Sequence, residues 1–409
     1  MTRLVLEELD RDDPLASFRD RFVLPPGVIY LDGNSLGPLP RATPGRIEEL
    51  VTREWGRGLI RSWNDAGWID LASHVADGIA QLLGATKGSV VVADSTSVNL
   101  FKLLGAALTL RPGRRVILSE RSNFPTDLYV AQGLNAFLGG RHTLRLVETD
   151  GISDAIDDDT AVVMLTHVNY RTGAMHDMAA LTQAAQARGA LALWDLAHSA
   201  AAVPVDLTAA NADLAVGCGY KFLNGGPGAP AFLYAAPRLH AELRLPITGW
   251  LGHAAPFAFE AEYRPGGGVA QATVGTPPIL SLAALEVGVR IALDAPMIEV
   301  RRKSIRQVAL LAELMEQAAP DAFRHITPKE PARRGSQLCL SHPDAFAIMQ
   351  SLIARGVIGD FRAPDILRFG VTPLTLSYAD LWDAAAVLGG IMTEGAWRDP
   401  SYAVRRSVT

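Results

Sequence analysis

Residues 217–230 read Gly-Cys-Gly-Tyr-Lys-Phe-Leu-Asn-Gly-Gly-Pro-Gly-Ala-Pro and place one lysine, Lys221, in a glycine-rich stretch. The apolar runs at 214–216 and 231–234, on either side, are typical of buried strands. Burial of an ammonium group is costly and lowers the pKa of a lysine towards the range in which a neutral amine attacks a carbonyl. Two interpretations of Lys221 are therefore open: a Schiff-base lysine, or a surface lysine in a glycine-rich turn.

An aspartate at the end of an earlier apolar strand, predicted at residues 191–194, favours the first interpretation. In open α/β sheets ligands bind outside the carboxyl ends of the strands, so Asp195 and Lys221 are expected to face one cavity. Pyridoxal 5'-phosphate (PLP) needs such a pair, because a carboxylate keeps its pyridine nitrogen protonated while a lysine holds its aldehyde. The pair therefore predicts PLP as the cofactor.

Four motifs, in this order along the chain, resemble the kynureninase family. They are Tyr-Leu-Asp-Gly-Asn-Ser-Leu-Gly at 30–37, Asp-Leu-Ala-His at 195–198, Tyr-Lys-Phe-Leu-Asn-Gly-Gly-Pro-Gly at 220–228 and Gly-Trp-Leu-Gly-His at 249–253. The resemblance covers nearly the whole chain. It implies an α/β protein of the fold type I class of PLP-dependent enzymes. We expect a large domain with a mainly parallel seven-stranded sheet at 60–290, and a smaller α+β domain formed by 1–59 together with 291–409.

The resemblance also implies the reaction, a hydrolysis of L-kynurenine to anthranilate and L-alanine, and leaves 3-hydroxykynurenine open as a second substrate. Lys221 is expected to act as general base, Asp195 to keep the cofactor ring protonated, and Tyr220 to donate a proton. A homodimer with shared active sites follows from the same resemblance, since Trp250 and Thr276 are expected to reach the cofactor of the other subunit.

Two other classes of function stay open at this point. A cysteine desulfurase or another lyase of the same fold would need a thiolate on a mobile loop, whereas Cys339 lies in a predicted strand at 337–341. A non-catalytic binding protein would have no need of both Asp195 and Lys221. A nicotinamide dehydrogenase is disfavoured because no Gly-x-Gly-x-x-Gly follows the first strand.

Composition and charge limit the remaining classes. The 409 residues, 49% of them hydrophobic, exceed what one core usually holds and predict two domains. The net charge of −5 without a basic cluster argues against a nucleic-acid partner. The acidic first residues argue against a signal peptide, and the lack of about 18 successive apolar residues argues against a membrane helix. We therefore expect a cytoplasmic protein. His167 and His176 lack any metal-binding spacing, so no metal is expected.

Hydroxyl and aromatic residues after two predicted strands are candidates for holding the cofactor. Thr96 and Ser97 begin a helix after the strand at 89–94, where they are either ordinary caps or part of a phosphate site. Phe124 follows the strand at 115–120 and either stacks on the pyridine ring or fills the core. The family resemblance favours the cofactor role for all three. It also implies cofactor contacts for a further group of polar residues: Asp127, Thr166, His198 and Tyr220.

Candidate substrate residues come from four separate segments. Arg368 lies in the apolar strand at 366–371 and needs an anionic partner, either the substrate α-carboxylate or a structural carboxylate. Asn34, with its neighbour Ser35, lies in a turn at 32–38 that in the family borders the active site. Trp63 and Gly275 resemble the residues of kynurenine-preferring family members.

The remaining pattern predicts an N-terminal arm at 1–25, a short strand at 28–31 and helices at 44–55, 178–188, 280–293, 344–355 and 378–394. The basic run at 301–305, Arg-Arg-Lys-Ser-Ile, is interpreted as a solvated helix face.

Overall fold

A computed structural model describes residues 2–405 of the chain as strands and helices that alternate through its first two thirds. The strands are β1 (Phe22–Val23), β2 (Ile29–Tyr30), β3 (Leu39–Pro40), β4 (Val90–Val92), β5 (Val116–Glu120), β6 (Thr143–Val147), β7 (Thr160–Thr166), β8 (Leu191–Asp195), β9 (Leu214–Gly217), β10 (Phe232–Ala235), β11 (Arg324–His325), β12 (Gln337–Ser341), β13 (Val357–Ile358), β14 (Asp360–Arg362) and β15 (Ile366–Gly370). The α-helices are α1 (Arg3–Arg11), α2 (Thr43–Glu49), α3 (Ser62–Asp65), α4 (Trp68–Leu82), α5 (Thr96–Leu110), α6 (Pro125–Phe137), α7 (Met178–Ala187), α8 (Ile279–Asp294), α9 (Met297–Ala318), α10 (Ala345–Ala354) and α11 (Tyr378–Glu394).

Within residues 2–405, the larger sheet has seven strands in the order β4-β10-β9-β8-β7-β5-β6. Only β10 runs antiparallel to its two neighbours. Both faces are covered by helices, so the central strands are apolar except for polar residues at their ends, such as Thr166 of β7 and Asp195 of β8. In β7, Val162 packs towards α5 and α6, and its neighbour Val163 packs towards α4 and α8. This architecture confirms the predicted fold class.

A smaller antiparallel sheet, in the order β11-β12-β15-β14, carries its own core with α9, α10 and α11. Two N-terminal residues join different cores. Leu6 of α1 packs into the core of the smaller sheet, whereas Leu50, just after α2, packs into that of the larger sheet. The domain limits near residues 60 and 290 stay a prediction.

Local elements differ from the sequence predictions in two places near the N-terminus. The predicted arm at 1–25 contains the helix α1, whose Leu6 is fully buried. The helix predicted at 44–55 begins at Thr43, and after Glu49 it continues as a π-helix over Leu50–Gly58. The predicted helix at 378–394 is confirmed with the same limits.

The basic run at 301–305 is a solvated face only in part: Arg302 is exposed, but the prediction is wrong for the central lysine. Lys303 is 6% exposed, and its ammonium pairs with Asp13 at 2.6 Å and donates to the carbonyl of Pro373 at 2.6 Å. The physical reason is helical periodicity, because Lys303 shares a face of α9 with the buried residues Val300 and Gln307.

Candidate active site

The carboxyl ends of three neighbouring strands bring the predicted lysine and aspartate together. Thr166 and Asp195 lie opposite each other as the last residues of β7 and β8, and Lys221 follows β9. Asp195 is buried and accepts a hydrogen bond from the Ala197 amide at 2.7 Å. Burial raises the pKa of its carboxyl, and the positive charge of Lys221 opposes that rise.

A buried histidine is the close neighbour of the lysine. The Nζ of Lys221 lies 3.0 Å from Nε2 of His198, and Lys221 is half-buried. Burial, together with the lysine charge, holds the pKa of His198 well below its usual range, so the ring is neutral at pH 7. Its buried Nδ1 has no hydrogen-bond partner among residues 2–405. An orphaned ring nitrogen beside a reactive amine is typical of a site built for a further polar group.

The lysine loop is fixed by the turn that contains the Asn-Ser-Leu-Gly motif. The Gly37 amide donates to the carbonyl of Tyr220 at 2.8 Å. A Cβ at Gly37 would lie 2.3 Å from the carbonyl oxygen of Lys221, so only glycine allows this approach. Tyr220 itself is half-buried, and its ring centroid lies 5.8 Å from the Lys221 ammonium. Burial, and then the Cys218 thiol, raise the pKa of the Tyr220 phenol.

A second buried polar group adjoins Asp195. Thr166 donates its hydroxyl hydrogen to Oδ1 of Asn123 and lies 3.4 Å from Asp127. Asn123 also accepts from the Phe124 amide at 2.7 Å, so it fixes both predicted cofactor residues. Burial, and then the negative charge of Asp195, raise the pKa of Asp127 well above its usual range. Asn123 was not among the residues predicted from the sequence, although its place just before a proline-initiated helix is a usable signal.

Three predicted cofactor residues lie at the starts of helices. Phe124 precedes Pro125 of α6, is 39% exposed and meets Tyr170 edge to face at 5.1 Å. Thr96 and Ser97 form the first turn of α5, where Ser95 acts as the cap. The first amides of an α-helix have no partner within it and favour an anion.

The residues described so far match the chemical groups of PLP one by one. A helix start suits the phosphate, an accessible phenylalanine face suits the ring, and a buried carboxylate suits the pyridine nitrogen. The amine of Lys221 and the Nδ1 of His198, which lacks a partner in the described part of the chain, complete a set of groups for the remaining polar atoms.

Arg368 lies on the smaller sheet at the centre of a buried charge cluster. Its side chain is 1% exposed and pairs with Asp360 through Nε at 2.7 Å and through Nη2. It also donates to the Ser35 hydroxyl at 2.7 Å and to the Tyr170 carbonyl at 2.8 Å. Asp360 faces Arg368 across the β14–β15 ladder. Asp360 was not predicted as this partner from the sequence, although the short hairpin around Pro364 favours the pairing.

The other predicted substrate residues are placed as follows. Asn34 is fully buried and donates to Gln337 at 3.3 Å. Trp63 packs edge to face on Trp68 at 5.8 Å, against the core of the larger sheet. Gly275 is half-buried, and a Cβ there would meet open space. Their roles towards a substrate stay predictions.

Trp250 and Thr276 are both exposed, on two segments that touch each other. A Cβ at Gly249 would lie 1.9 Å from the carbonyl oxygen of Val274, so a glycine is required where the segments cross. Two exposed aromatic rings, Phe257 and Phe259, lie 5.6 Å and 6.2 Å from that of Trp250.

Comparison with known proteins identifies the family. The chain is 52% identical over 407 residues to a kynureninase of Pseudomonas fluorescens and to one of Burkholderia pseudomallei, in each case over 98% of both chains. The chain belongs to the kynureninase family. Residues 300–388 also match the model of the kynureninase C-terminal domain.

Solved structures resemble this kynureninase family member in fold. A C-DES variant with glycine covalently linked to its PLP cofactor has a TM-score of 0.78 at 17% identity and covers 90% of this chain and 98% of its own. An apo cysteine desulfurase from Thermococcus onnurineus has a TM-score of 0.73 at 19% identity and covers 95% and 97%. At these identities the likeness shows the fold alone, and it confirms the predicted fold type I architecture.

The two cysteines of this kynureninase family member are both buried. Cys339 lies in the middle of β12, and burial raises the pKa of its thiol to about 11. A desulfurase needs an accessible thiolate, so Cys339 does not favour that alternative. Among the described residues, no helix has the length and apolar character needed to cross a bilayer.

Proposed function

We propose that this protein hydrolyses L-kynurenine to anthranilate and L-alanine with PLP as cofactor. The observation that carries the proposal is the placement of Asp195 and Lys221 at the carboxyl ends of neighbouring strands in a chain of the kynureninase family. When bound, PLP supplies an aldehyde for the amine and an electron-withdrawing ring that stabilises negative charge at the substrate α-carbon.

Each cofactor residue has a separate task in the proposal. Thr96 and Ser97, with the amides of the α5 start, hold the phosphate, and Phe124 packs on the ring. Asp195 would face the protonated pyridine nitrogen, and the positive charge there would offset the effect of burial on the pKa of Asp195. Thr166, His198 and Tyr220 contact the remaining polar atoms, with Asp127 in support through Thr166.

Lys221 and Tyr220 move protons in the proposed reaction. The amine of Lys221 removes the substrate α-proton as general base. His198 stays neutral next to it, so its Nε2 can accept a hydrogen bond from the amine and places no second positive charge beside it. The Tyr220 phenol keeps its proton, because burial raises its pKa, and is available as a proton donor when the bond between the β and γ carbons breaks.

Arg368 is proposed to orient the substrate by its α-carboxylate, which fixes the scissile bonds relative to the cofactor ring. Asn34, Trp63 and Gly275 are proposed to border the substrate. The resemblance of Trp63 and Gly275 to the residues of kynurenine-preferring family members supports a preference for kynurenine over 3-hydroxykynurenine.

We also propose a homodimer with shared active sites. The exposed Trp250 and Thr276, on segments held together at Gly249, support a contact with the cofactor of a second subunit. A cytoplasmic location is part of the same proposal, and fractionation of cells that express the native chain tests it.

The deciding experiment measures anthranilate release from L-kynurenine, by fluorescence, with purified protein and added PLP. We expect turnover, a smaller kcat/KM for 3-hydroxykynurenine, and a phosphopyridoxyl adduct on Lys221 after borohydride reduction. A protein that binds PLP at Lys221 but releases no anthranilate would contradict the kynureninase reaction and keep the fold assignment.

A further inference from the structure

Four ionisable side chains crowd the proposed carboxylate site, and one of them, Asp32, has no role in the function proposed above. Asp32 forms a β-bridge to Gly370, at the end of the strand that carries Arg368. Its Oδ1 atom is buried without a hydrogen-bond partner among residues 2–405. A buried, unpartnered carboxylate oxygen is expensive while the group is charged.

Arg368 alone has little left to offer an incoming carboxylate. A guanidinium carries five N–H groups. Among residues 2–405, two donate to Asp360, one to Ser35 and one to the Tyr170 carbonyl, which leaves a single N–H on Nη1. Attraction of the substrate therefore depends on the net charge of the whole cluster. A second cation contributes to it, because Nη2 of Arg362 lies 2.7 Å from Asp360.

The protonation of Asp32 decides that net charge. Burial would raise the pKa of Asp360, but hydrogen bonds from Arg368 and the charges of both arginines hold it below its usual range, so Asp360 is ionised. With Asp32 neutral the cluster carries one net positive charge. With Asp32 ionised it carries none, and a bound carboxylate would then leave a buried excess negative charge. Burial and the charge of Asp360 raise the pKa of Asp32 to about 7.

Three further titratable groups that adjoin this cluster are neutral near pH 7. Tyr30 precedes Asp32 on the same segment, Cys339 faces the cluster from β12, and His198 faces it from the end of β8. Burial raises the pKa of Tyr30 and Cys339 and lowers that of His198. The Ser35 hydroxyl, which donates to Asp360 at 2.8 Å, does not titrate. Asp32 is therefore the group whose charge changes in this range.

We propose that Asp32 is a positioning residue that makes the Arg368 cluster bind the substrate carboxylate together with one proton. The proton is taken from solvent and held on the Asp32 carboxyl, next to Asp360. This inference rests on the proposed substrate site, and it adds a specificity: the cluster accepts one carboxylate and rejects a second negative charge near it.

The test is calorimetric and needs no turnover. The probe is 3-benzoylpropionate, which has the carboxylate and aryl ketone of the substrate but no amine that titrates. Its binding to the PLP-loaded protein is measured from pH 6 to 9 in two buffers of different ionisation enthalpy, which gives the number of protons taken up. We expect uptake to rise towards one above pH 7, and affinity to fall by up to about tenfold per pH unit there. In Asp32→Asn both effects should vanish, and affinity should stay constant to pH 9.

Asp154→Asn is the matched control, because it removes the same charge from an exposed position and should behave as the unchanged protein does. Equal proton uptake in Asp32→Asn, or no uptake in the unchanged protein, would overturn the inference. If Asp32→Asn fails to fold, Asp32→Ser serves instead. If the unchanged protein takes up a proton with the probe but does not turn over kynurenine, the proposed reaction is contradicted and the role of Asp32 is not. The two proposals can therefore be tested separately.

A thermal measurement adds a second readout. A carboxyl with a raised pKa in the folded state binds its proton more tightly there than in the unfolded chain, so its contribution to stability is lost as the pH rises towards 7 and above. The Tm of the unchanged protein should therefore fall relative to that of Asp32→Asn between pH 5 and 8.5. A constant difference would show that Asp32 does not titrate in this range.

Discussion

The two cations proposed to handle the substrate, Lys221 and Arg368, are held in opposite ways. Lys221 is half-buried, and its ammonium meets a neutral imidazole. Arg368 is 1% exposed, and most of its donors are committed to Asp360, Ser35 and a backbone carbonyl. A group that must change partners during a reaction is best left free of strong ones, whereas a group that orients a ligand gains from being fixed. The difference between the regions follows from their tasks.

The largest expected effect is on activity alone and comes from the lysine. Lys221→Ala should lower kcat by at least about 10⁴-fold, since it removes both the amine and the general base. Because Lys221 has few fixed contacts, the free energy of unfolding should change by less than about 0.5 kcal/mol. Anthranilate release and urea unfolding measure the two quantities. Lys87→Ala, at an exposed lysine, is the control and should change neither.

Asp195→Asn tests whether the site of Lys221 can lose activity without losing stability. An amide cannot supply the negative charge that the pyridine nitrogen needs, so kcat should fall by roughly 10²- to 10³-fold. Because the buried charge is also lost, stability of the cofactor-free protein should rise or stay constant at pH 7. Rapid-reaction kinetics and the absorbance of the bound cofactor report the change. An unaltered kcat would refute the role of Asp195.

Arg368→Lys should change both affinity and stability, unlike the substitution of Lys221. An ammonium cannot replace the bidentate pair with Asp360, and each lost hydrogen bond to a charged group costs about 1.5–3 kcal/mol. We expect KM to rise roughly 10- to 100-fold and the Tm to fall. Arg290→Lys, at an exposed pair with Glu286, is the control that should leave both unchanged. A raised KM with an unchanged Tm would show that the contacts of Arg368, like those of Lys221, contribute little to stability.

The smallest expected effect concerns the aromatic contact. Phe124→Ala should weaken PLP binding by about 3- to 10-fold, because an aromatic contact of this kind contributes about 0.5–1.5 kcal/mol. Fluorescence titration of the cofactor-free protein with PLP measures the dissociation constant. Phe137→Ala, at the exposed end of the same helix, should leave it unchanged. Equal effects of the two substitutions would exclude a direct contact by Phe124.

The sequence predicts the lysine region better than the arginine region for a physical reason. Thr166, Asp195 and Lys221 each end or follow an apolar run, and the carboxyl ends of parallel strands share one edge, so local pattern suffices to bring them together. Asp32 and Ser35 reach Arg368 only through tertiary contacts between distant segments, which no local period encodes.

Two further features show what the sequence of a single chain can and cannot predict about side-chain contacts. The buried pair of Lys303 and Asp13 could have been predicted in part, because Lys303 falls on the apolar face of its helix. Trp250 and Thr276 stay exposed in a single chain, so no single-chain pattern assigns their contacts.

The close approach at Gly37 connects the Arg368 cluster with the loop that carries Lys221. Ser35 accepts a hydrogen bond from Arg368, and Gly37, two residues further along the same turn, contacts the backbone of Tyr220 and Lys221. A displacement of this turn would therefore act on the Arg368 cluster and on the backbone of Lys221 at the same time.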